Sequence, residues 1–211
     1  MVKLAANLSM LFNEYDFLDR FEQASRAGFK GIEYLFPYQH PKDQIKELLD
    51  TNDLIQVLHN LPAGDWDNGE RGIACQFDRM NEFQNGVGLA IEYAKTLGCT
   101  QLNCLSGIPD SEVDEEKTFS VFVDNLQFAA SELQKNDIKL LIEPINTIDI
   151  PGFYLTTVSQ AKKIMEAVNS SNLFLQYDIY HTQIMEGDIL RKLEANLNII
   201  KHIQIADNPG R

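Results

Sequence analysis

The chain has 211 residues, of which 44% are hydrophobic and 23% charged, and this composition excludes a mostly disordered chain or a small disulfide-stapled scaffold. At roughly 100–200 residues per domain, the length predicts one domain over residues 1–211. Lys and Arg number 18 against 31 Asp and Glu, for a net charge of −13, and so acidic a chain is a poor partner for nucleic acid or an anionic membrane.

Short apolar runs alternate with helical patterns along the chain. In chain order the predicted elements are strand Lys3–Leu8, helix Glu14–Ala27, strand Gly31–Phe36, helix Pro41–Thr51, strand Leu54–Leu58, helix Phe83–Leu97, strand Gln101–Leu105, helix Asp114–Gln134, strand Lys139–Ile142, helix Thr157–Val168, strand Leu173–Tyr177, helix Ile184–Leu197 and strand His202–Ile205. The irregular stretch 60–78 contains the only tryptophan, Trp66, and is predicted to be an ordered loop.

A strand followed by a helix at intervals of roughly 30 residues indicates a parallel sheet with crossover helices. The chain has no GxGxxG and no GxxxxGK[ST] motif, which disfavours an open nucleotide-binding sheet. A (β/α)8 TIM barrel has about 250 residues, so 211 residues supply about seven of its eight units. An open seven-stranded sheet would expose a hydrophobic edge. We therefore predict an α/β (β/α)8 TIM barrel, with a C-terminal helix-strand-helix segment missing from the given sequence.

The cysteines and the N-terminus indicate the cellular compartment. The three cysteines form no CxxC pair and no Cys/His zinc spacing, which predicts reduced thiols in a cytoplasmic protein. Polar residues interrupt the short apolar run at the N-terminus, so it is not interpreted as a secretory signal. No run of ~18 apolar residues predicts a transmembrane helix. The sequence leaves the oligomeric state open, with a homo-oligomer as one alternative.

In such barrels the active site lies at the carboxyl ends of the strands, and polar side chains recur there. They are Asn7, Glu33, His59, Asn60, Asn103, Glu143, Asp178, Gln204 and Asp207. Several carboxylates at one end of a sheet repel one another and are costly to bury, so a cation is expected among them.

Glu143, Asp178 and Gln204 stand on three successive predicted strands and are the predicted metal ligands. Oxygen ligands of this kind suit a hard divalent cation such as Mg²⁺ or Mn²⁺. Each residue has a structural alternative. Glu143 can begin a turn before Pro144, Asp178 can cap the following helix, and Gln204 can be a satisfied core amide.

Four further residues are predicted to bind substrate. His181, in the segment YDIYH, is suited to donate a hydrogen bond or a proton to a substrate oxygen, or it sits in a helix without a role. His59 ends the third strand, and both a functional and a structural role are open for it. Glu70 and Arg71 lie between two glycines, either as a surface ion pair or as a loop that presents a guanidinium to an anionic substrate.

Five stretches, in order along the whole chain, resemble the hydroxypyruvate isomerase family, which belongs to the xylose-isomerase-like barrels. They are Ala6–Tyr38, Leu58–Cys75, Leu140–Thr156, Leu175–Asp188 and His202–Arg211. The combination is specific, whereas the motif GFKGIE alone would indicate only the wider superfamily.

The resemblance implies a metal-dependent isomerase that converts hydroxypyruvate to tartronate semialdehyde, or acts on a similar 2-oxo acid such as a 2-oxo-tetronate, by proton transfer through an enediolate. It implies that Glu143, in the motif IEPIN, is catalytic and binds the metal, and that Asp178 and Gln204 complete the ligands from this chain. A second glutamate of the family lies on the eighth strand, for which the given sequence has no residue.

Two alternatives stay open at this point. A keto-sugar epimerase or isomerase of the same superfamily would use the same metal and carboxylates without a need for Arg71. A fragment that binds a metal or a sugar acid without turnover would bind metal but exchange no proton into a substrate. A metal-dependent endonuclease of similar fold is disfavoured by the net charge of −13 and by the presence of only four histidines.

Overall fold

The computed structural model describes residues 2–210. The strands are β1 Ala5–Asn7, β2 Gly31–Glu33, β3 Ile55–Asn60, β4 Gln101–Cys104, β5 Lys139–Ile142, β6 Leu173–Asp178 and β7 Ile200–Gln204. The helices are α1 Arg20–Arg26, α2 Lys42–Thr51, α3 Met80–Leu97, α4 Glu115–Gln134, α5 Val158–Val168, α6 Ile179–Met185 and α7 Ile189–Asn196. Short 3₁₀ turns, Phe17–Asp19 and Phe77–Arg79, lead into α1 and α3.

The seven strands form one parallel sheet in chain order, and each strand pairs with the next. The sheet is curled, because Gln204 on β7 reaches Glu33 on β2, with 2.6 Å between Gln204 Nε2 and Glu33 Oε1. Four strands separate these two residues along the sheet. Curling of a parallel sheet with helices outside it confirms the predicted TIM-barrel fold.

The core lies between the sheet and the helices. Leu140, Leu141 and Ile142 on β5 are all fully buried, as expected for a parallel strand that is covered on both faces. One large apolar cluster joins β4, β5 and β6 to α3, α4 and α5, and a smaller one joins β1 and β2 to α1 and α2. The scaffold under the strand ends is therefore closely packed.

Helix ends follow the sequence signals. The Asp114 side chain accepts a hydrogen bond from the backbone N–H of Lys117 at the start of α4, and Gly98 ends α3 with φ 68°. The predicted single helix Ile184–Leu197 is wrong. Gly187 and Asp188 both have positive φ, 62° and 51°, which breaks the helical path and separates α6 from α7.

The three cysteines are buried and form no disulfide, in agreement with the predicted free thiols. Along residues 2–210, none of the helices combines the length and the apolar character that a membrane crossing needs.

Candidate active site

A cavity of about 170 Å³ opens at the carboxyl ends of the strands, where the fold places active sites. Of the predicted site residues, Arg71, Glu143, His181 and Gln204 line it. Asp178 is 1% exposed and lies beside Glu143 and His181. A cavity of this size suits a small molecule of a few heavy atoms.

Glu143, Asp178 and His181 form a tight buried cluster. Each offers one potential ligand atom, and these atoms all lie within 4.8 Å of one another. His181 Nε2 is 3.6 Å from Asp178 Oδ2 and 4.0 Å from Glu143 Oε1. Two carboxylates this close and this deeply buried favour a bound cation, because burial and mutual repulsion both disfavour their charged forms.

Glu143 is held by the neighbouring strand. Asn103 Nδ2 on β4 donates to Glu143 Oε2 at 3.0 Å and to Asn60 Oδ1 at 3.1 Å. The strand register produces this arrangement, because Asn60 pairs with Asn103 and β4 pairs in turn with β5. One carboxylate oxygen is therefore oriented by Asn103, while the other faces His181.

Asp178 serves two purposes at the end of β6. Its Oδ1 accepts a hydrogen bond from the backbone N–H of Tyr180 at 2.8 Å and so caps α6. Its Oδ2 faces His181. The capping alternative and the predicted place in the site are thus compatible, one through each oxygen.

Gln204 lies opposite Asp178 in the register of β6 and β7. Its Nε2 donates to Glu33, and its Oε1 accepts from Gln176 Nε2 at 3.0 Å, so both ends of the amide are assigned. Gln176 also lines the cavity, and its Oε1 is buried with no hydrogen-bond partner among the described residues. An oxygen of this kind is costly to bury alone and is suited to a cation or its water.

Glu33 is a further carboxylate of the cavity wall. It accepts hydrogen bonds from Asn7 Nδ2 at 2.9 Å and from His202 Nε2 at 2.5 Å, as well as from Gln204. Three donors on two other strands therefore fix its position, and Glu33 in turn fixes the amide of Gln204.

Arg71 lies in the cavity wall, stacked on Trp66. Its guanidinium carbon is 4.3 Å from the centre of the Trp66 ring, and its Nη1 donates to the carbonyl oxygens of Trp66 at 2.9 Å and Glu70 at 2.8 Å. Among the wall residues within 2–210, Arg71 is the one Lys or Arg side chain. Arg71 is therefore the side chain that could form an ion pair with an anionic substrate in this cavity.

Glu70 builds the loop rather than the wall. Its carboxylate accepts hydrogen bonds from Arg79 and from the backbone N–H of Asp65, and these bonds lower the pKa of Glu70. The ion pair of Glu70 is thus made with Arg79 and not with Arg71. In the described structure Glu70 does not line the cavity, so its contribution is to hold the loop that carries Arg71.

His59 lies outside the cavity wall. It is fully buried, its ring is near those of Tyr34 and Tyr38, and neither ring nitrogen has a hydrogen-bond partner among the described residues. Burial lowers the pKa of His59 to about 3, because the charged ring would lose its hydration. The structural alternative stated for His59 fits this placement, and a role of His59 in substrate binding stays a prediction.

A family model described as xylose isomerase-like TIM barrel matches residues 21–211. The chain belongs to this family. The match confirms the resemblance stated from the sequence motifs.

Two similar proteins are named as isomerases. The chain is 51% identical over 211 residues to hydroxypyruvate isomerase of Escherichia coli, and the alignment covers all of this chain and 82% of that protein. It is 41% identical over 211 residues to 2-oxo-tetronate isomerase of Cupriavidus necator, and the alignment covers all of this chain and 81% of that protein.

Two solved structures have folds similar to that of this chain. A protein from Brucella melitensis, described as AP endonuclease, family 2, has a TM-score of 0.97 at 42% identity and covers 100% of this chain and 81% of that one. A D-allulose 3-epimerase from Methylomonas sp. has a TM-score of 0.77 at 17% identity over 96% of this chain and 71% of that one, and it supports the fold alone.

Within this family fold, the strand-end residues include five that line the cavity, namely Asn7, Glu33, Asn60, Glu143 and Gln204, but the roles of several of them were not predicted. Glu33, Asn60 and Asn103 stood among the strand-end residues, yet nothing in their motifs singled them out. Asn146, which contacts His181, lies three residues after Glu143 in the motif IEPIN, and this spacing was the available signal.

Proposed function

We propose that this chain isomerises a small 2-oxo acid, namely hydroxypyruvate or a close analogue such as a 2-oxo-tetronate, between its ketone and aldehyde forms. The observation that carries the proposal is the cavity itself, whose wall contains the Arg71 side chain together with Glu143 and His181, and the buried Asp178 lies beside these two. The names of the 51% and 41% identical relatives support the same reaction and substrate class.

We further propose that Glu143, Asp178 and Gln204 would hold a divalent metal ion, Mg²⁺ or Mn²⁺. Two buried carboxylates and the amide oxygen of Gln204 are hard oxygen donors. The buried Oε1 of Gln176, which has no hydrogen-bond partner among the described residues, is consistent with a cation or its water nearby. When bound, such an ion stabilises negative charge on substrate oxygens as a Lewis acid.

Glu143 is the proton-transfer group in this proposal. The isomerisation moves one proton from the carbon that bears the hydroxyl group to the neighbouring carbonyl carbon, and the hydroxyl proton passes to the former carbonyl oxygen, so the ketone becomes an aldehyde without any net oxidation. A carboxylate can accept and return that proton. Asn103 orients the Glu143 carboxylate through Oε2, which leaves the Oε1 side toward the cluster with His181.

Arg71 anchors the substrate carboxylate. Because two backbone carbonyls accept from Nη1 and the Trp66 ring stacks on the guanidinium, the plane of the group is fixed before substrate arrives. Its remaining nitrogens can pair with a carboxylate in a bidentate manner. Trp66, Met10 and Ile150 supply apolar wall that limits water around the reacting carbons.

The test is isomerisation of hydroxypyruvate by the purified chain with and without EDTA, followed by NMR in D₂O to detect solvent deuterium in the product. We expect EDTA to abolish turnover and Mg²⁺ or Mn²⁺ to restore it. Arg71→Met should raise KM for hydroxypyruvate about 10- to 100-fold, the effect of losing one charge-assisted pair. Arg26→Met, on the exposed face of α1, is the matched control and should leave KM unchanged.

Other outcomes separate the alternatives. Turnover of neutral ketoses in preference to 2-oxo acids, with no effect of Arg71→Met, would instead establish a keto-sugar epimerase or isomerase. Binding of Mn²⁺ without deuterium exchange into any 2-oxo acid or ketose would establish a binding fragment and overturn the catalytic proposal.

A further inference from the structure

Asn146 is a buried side chain of the loop after β5, and the structure determines which end of its amide is which. Its Oδ1 accepts hydrogen bonds from the backbone N–H groups of Ile148 at 3.0 Å and Asp149 at 2.8 Å. A flipped amide would set its NH₂ group against two N–H donors, which no hydrogen-bond pattern satisfies. The nitrogen Nδ2 is therefore on the other side.

That nitrogen faces His181. Asn146 Nδ2 is 2.7 Å from His181 Nδ1 and 3.0 Å from Asp149 Oδ2, and the backbone N–H of Asn146 also points to His181 Nδ1 at 3.4 Å. Both groups of Asn146 are donors and neither has a lone pair to accept with. His181 Nδ1 is therefore an acceptor and carries no proton, so the ring proton is on Nε2.

The protonated nitrogen is the one that faces the carboxylates. His181 Nε2 lies 3.6 Å from Asp178 Oδ2 and 4.0 Å from Glu143 Oε1, and the ring is 3% exposed. A metal ligand must present a lone pair, and a nitrogen that carries a proton has none to give. Close packing in the cluster alone would make His181 a candidate ligand, but its tautomer makes it a donor.

We infer that Asn146 is a positioning residue that holds His181 in the tautomer with its proton on Nε2, so that His181 donates a hydrogen bond to a substrate oxygen and is not a ligand of the metal. This role of His181 toward substrate rests on the proposed function. The tautomer itself rests only on the contacts of Asn146, and the two can be tested separately.

The first test reads the tautomer directly. In the uniformly ¹⁵N-labelled, Mg²⁺-loaded chain, long-range ¹H–¹⁵N correlation spectra report which imidazole nitrogen carries a proton. The chain has four histidines, so His181→Gln assigns the signal by its disappearance. We expect a protonated Nε2 and an unprotonated Nδ1 for His181. An Nε2 without a proton in the loaded protein, as metal ligation requires, overturns the inference whatever the activity.

The second test changes the donor. Asn146→Asp keeps an oxygen for Ile148 and Asp149 and replaces the donor Nδ2 by an acceptor, so the proton of His181 should move to Nδ1. We expect a 10- to 100-fold fall in kcat/KM for hydroxypyruvate, the range for residues that orient groups in a metal site. Asn198→Asp, on an exposed loop before β7, is the matched control and should leave both the spectrum and the kinetics unchanged.

A double-mutant cycle separates positioning from a general structural role. In His181→Gln, the side-chain amide supplies a donor near the former Nε2 without any need for Asn146, so Asn146→Asp should cost less in that background, where only the loss of its contact with Asp149 remains. Equal and additive losses in both backgrounds overturn the inference. If Asn146→Asp fails to fold, the spectrum of the unsubstituted chain still decides the tautomer. Absence of isomerisation with the expected spectrum would refute the proposed function and support the assigned tautomer.

Discussion

Glu33 on β2 and His202 on β7 meet across the interior of the barrel, with 2.5 Å between Glu33 Oε2 and His202 Nε2. Their side chains are 6% and 14% exposed, so bulk salt screens the contact little. The other oxygen of the same carboxylate accepts from Gln204. The orientation of a proposed metal ligand therefore depends on a carboxylate of β2, which is separated from β7 by four strands in the sheet order.

This relationship predicts the effect of Glu33→Gln. With the carboxylate replaced by an amide, His202 and Gln204 both lose the carboxylate oxygens to which they donate, and Gln204 loses its fixed orientation. We expect Mn²⁺ affinity, measured as Kd by EPR titration, to fall about 10- to 100-fold. Glu47→Gln, on the exposed side of α2, is the matched control. A Kd that stays within twofold in Glu33→Gln would show that Gln204 does not depend on Glu33.

His59 predicts a pH dependence of stability. Its pKa is about 3 in the folded chain against about 6.5 in an unfolded one, so between these values the unfolded state binds the additional proton. The free energy of unfolding should therefore fall as pH is lowered from about 6.5 toward 3, with a contribution of about 1.4 kcal/mol per pH unit from this group.

The variant His59→Leu isolates that contribution. Because neither ring nitrogen has a hydrogen-bond partner among the described residues, an apolar side chain of similar volume leaves no polar group unsatisfied. Urea unfolding at pH 4.5, 5.5 and 6.5 should give a shallower pH slope for His59→Leu than for the unsubstituted chain. Parallel slopes would contradict the buried neutral state of His59.

Leu126 on α4 tests the packing of the larger apolar cluster. It is fully buried, and Leu126→Ala should lower the free energy of unfolding by about 2–5 kcal/mol through lost contacts and a residual cavity. Leu190→Ala on α7 is the control, because Leu190 is 71% exposed and the change should stay within about 0.5 kcal/mol. Urea titration monitored by circular dichroism gives both values.

Gly72 allows the loop that carries Arg71 to approach the neighbouring strand end. A Cβ at this position would lie 2.6 Å from the Leu105 carbonyl oxygen and 2.7 Å from the Gly107 nitrogen, and φ is +120°. Gly72→Ala should cost at least about 1–3 kcal/mol in backbone strain and displace Arg71, with a raised KM for hydroxypyruvate. Gly88→Ala, inside α3 with open space around it, should instead raise Tm slightly. Equal Tm values for the two variants would refute the close approach.

Much of the fold was accessible from the sequence because the parallel strands are short, apolar and bounded by polar residues. Lys139–Ile142 was predicted with its observed bounds. The strand predicted at Leu54–Leu58 extends to Asn60, because polar residues at that end pair with β4 in the barrel. The prediction of one helix over Ile184–Leu197 was wrong because it followed the apolar periodicity and gave too little weight to Gly187, where the backbone has a positive φ.

The site was partly accessible for the same reason. The carboxyl ends of parallel strands share one edge, so Glu143, Asp178 and Gln204 were brought together without knowledge of side-chain geometry. The contact of Glu33 with Gln204 was not accessible, because it joins residues 171 apart and depends on how far the sheet curls. Spacing along one strand does not determine which side chains meet across the interior.

The three buried cysteines have a consequence for chemical labelling. Burial raises the pKa of Cys75 and Cys99 to about 12 and raises that of Cys104 as well, so almost no thiolate is present at neutral pH. Alkylating reagents attack the thiolate. Iodoacetamide should therefore modify the folded chain only when the barrel opens. The rate of mass gain at each cysteine would then measure how often the helices separate locally from the sheet.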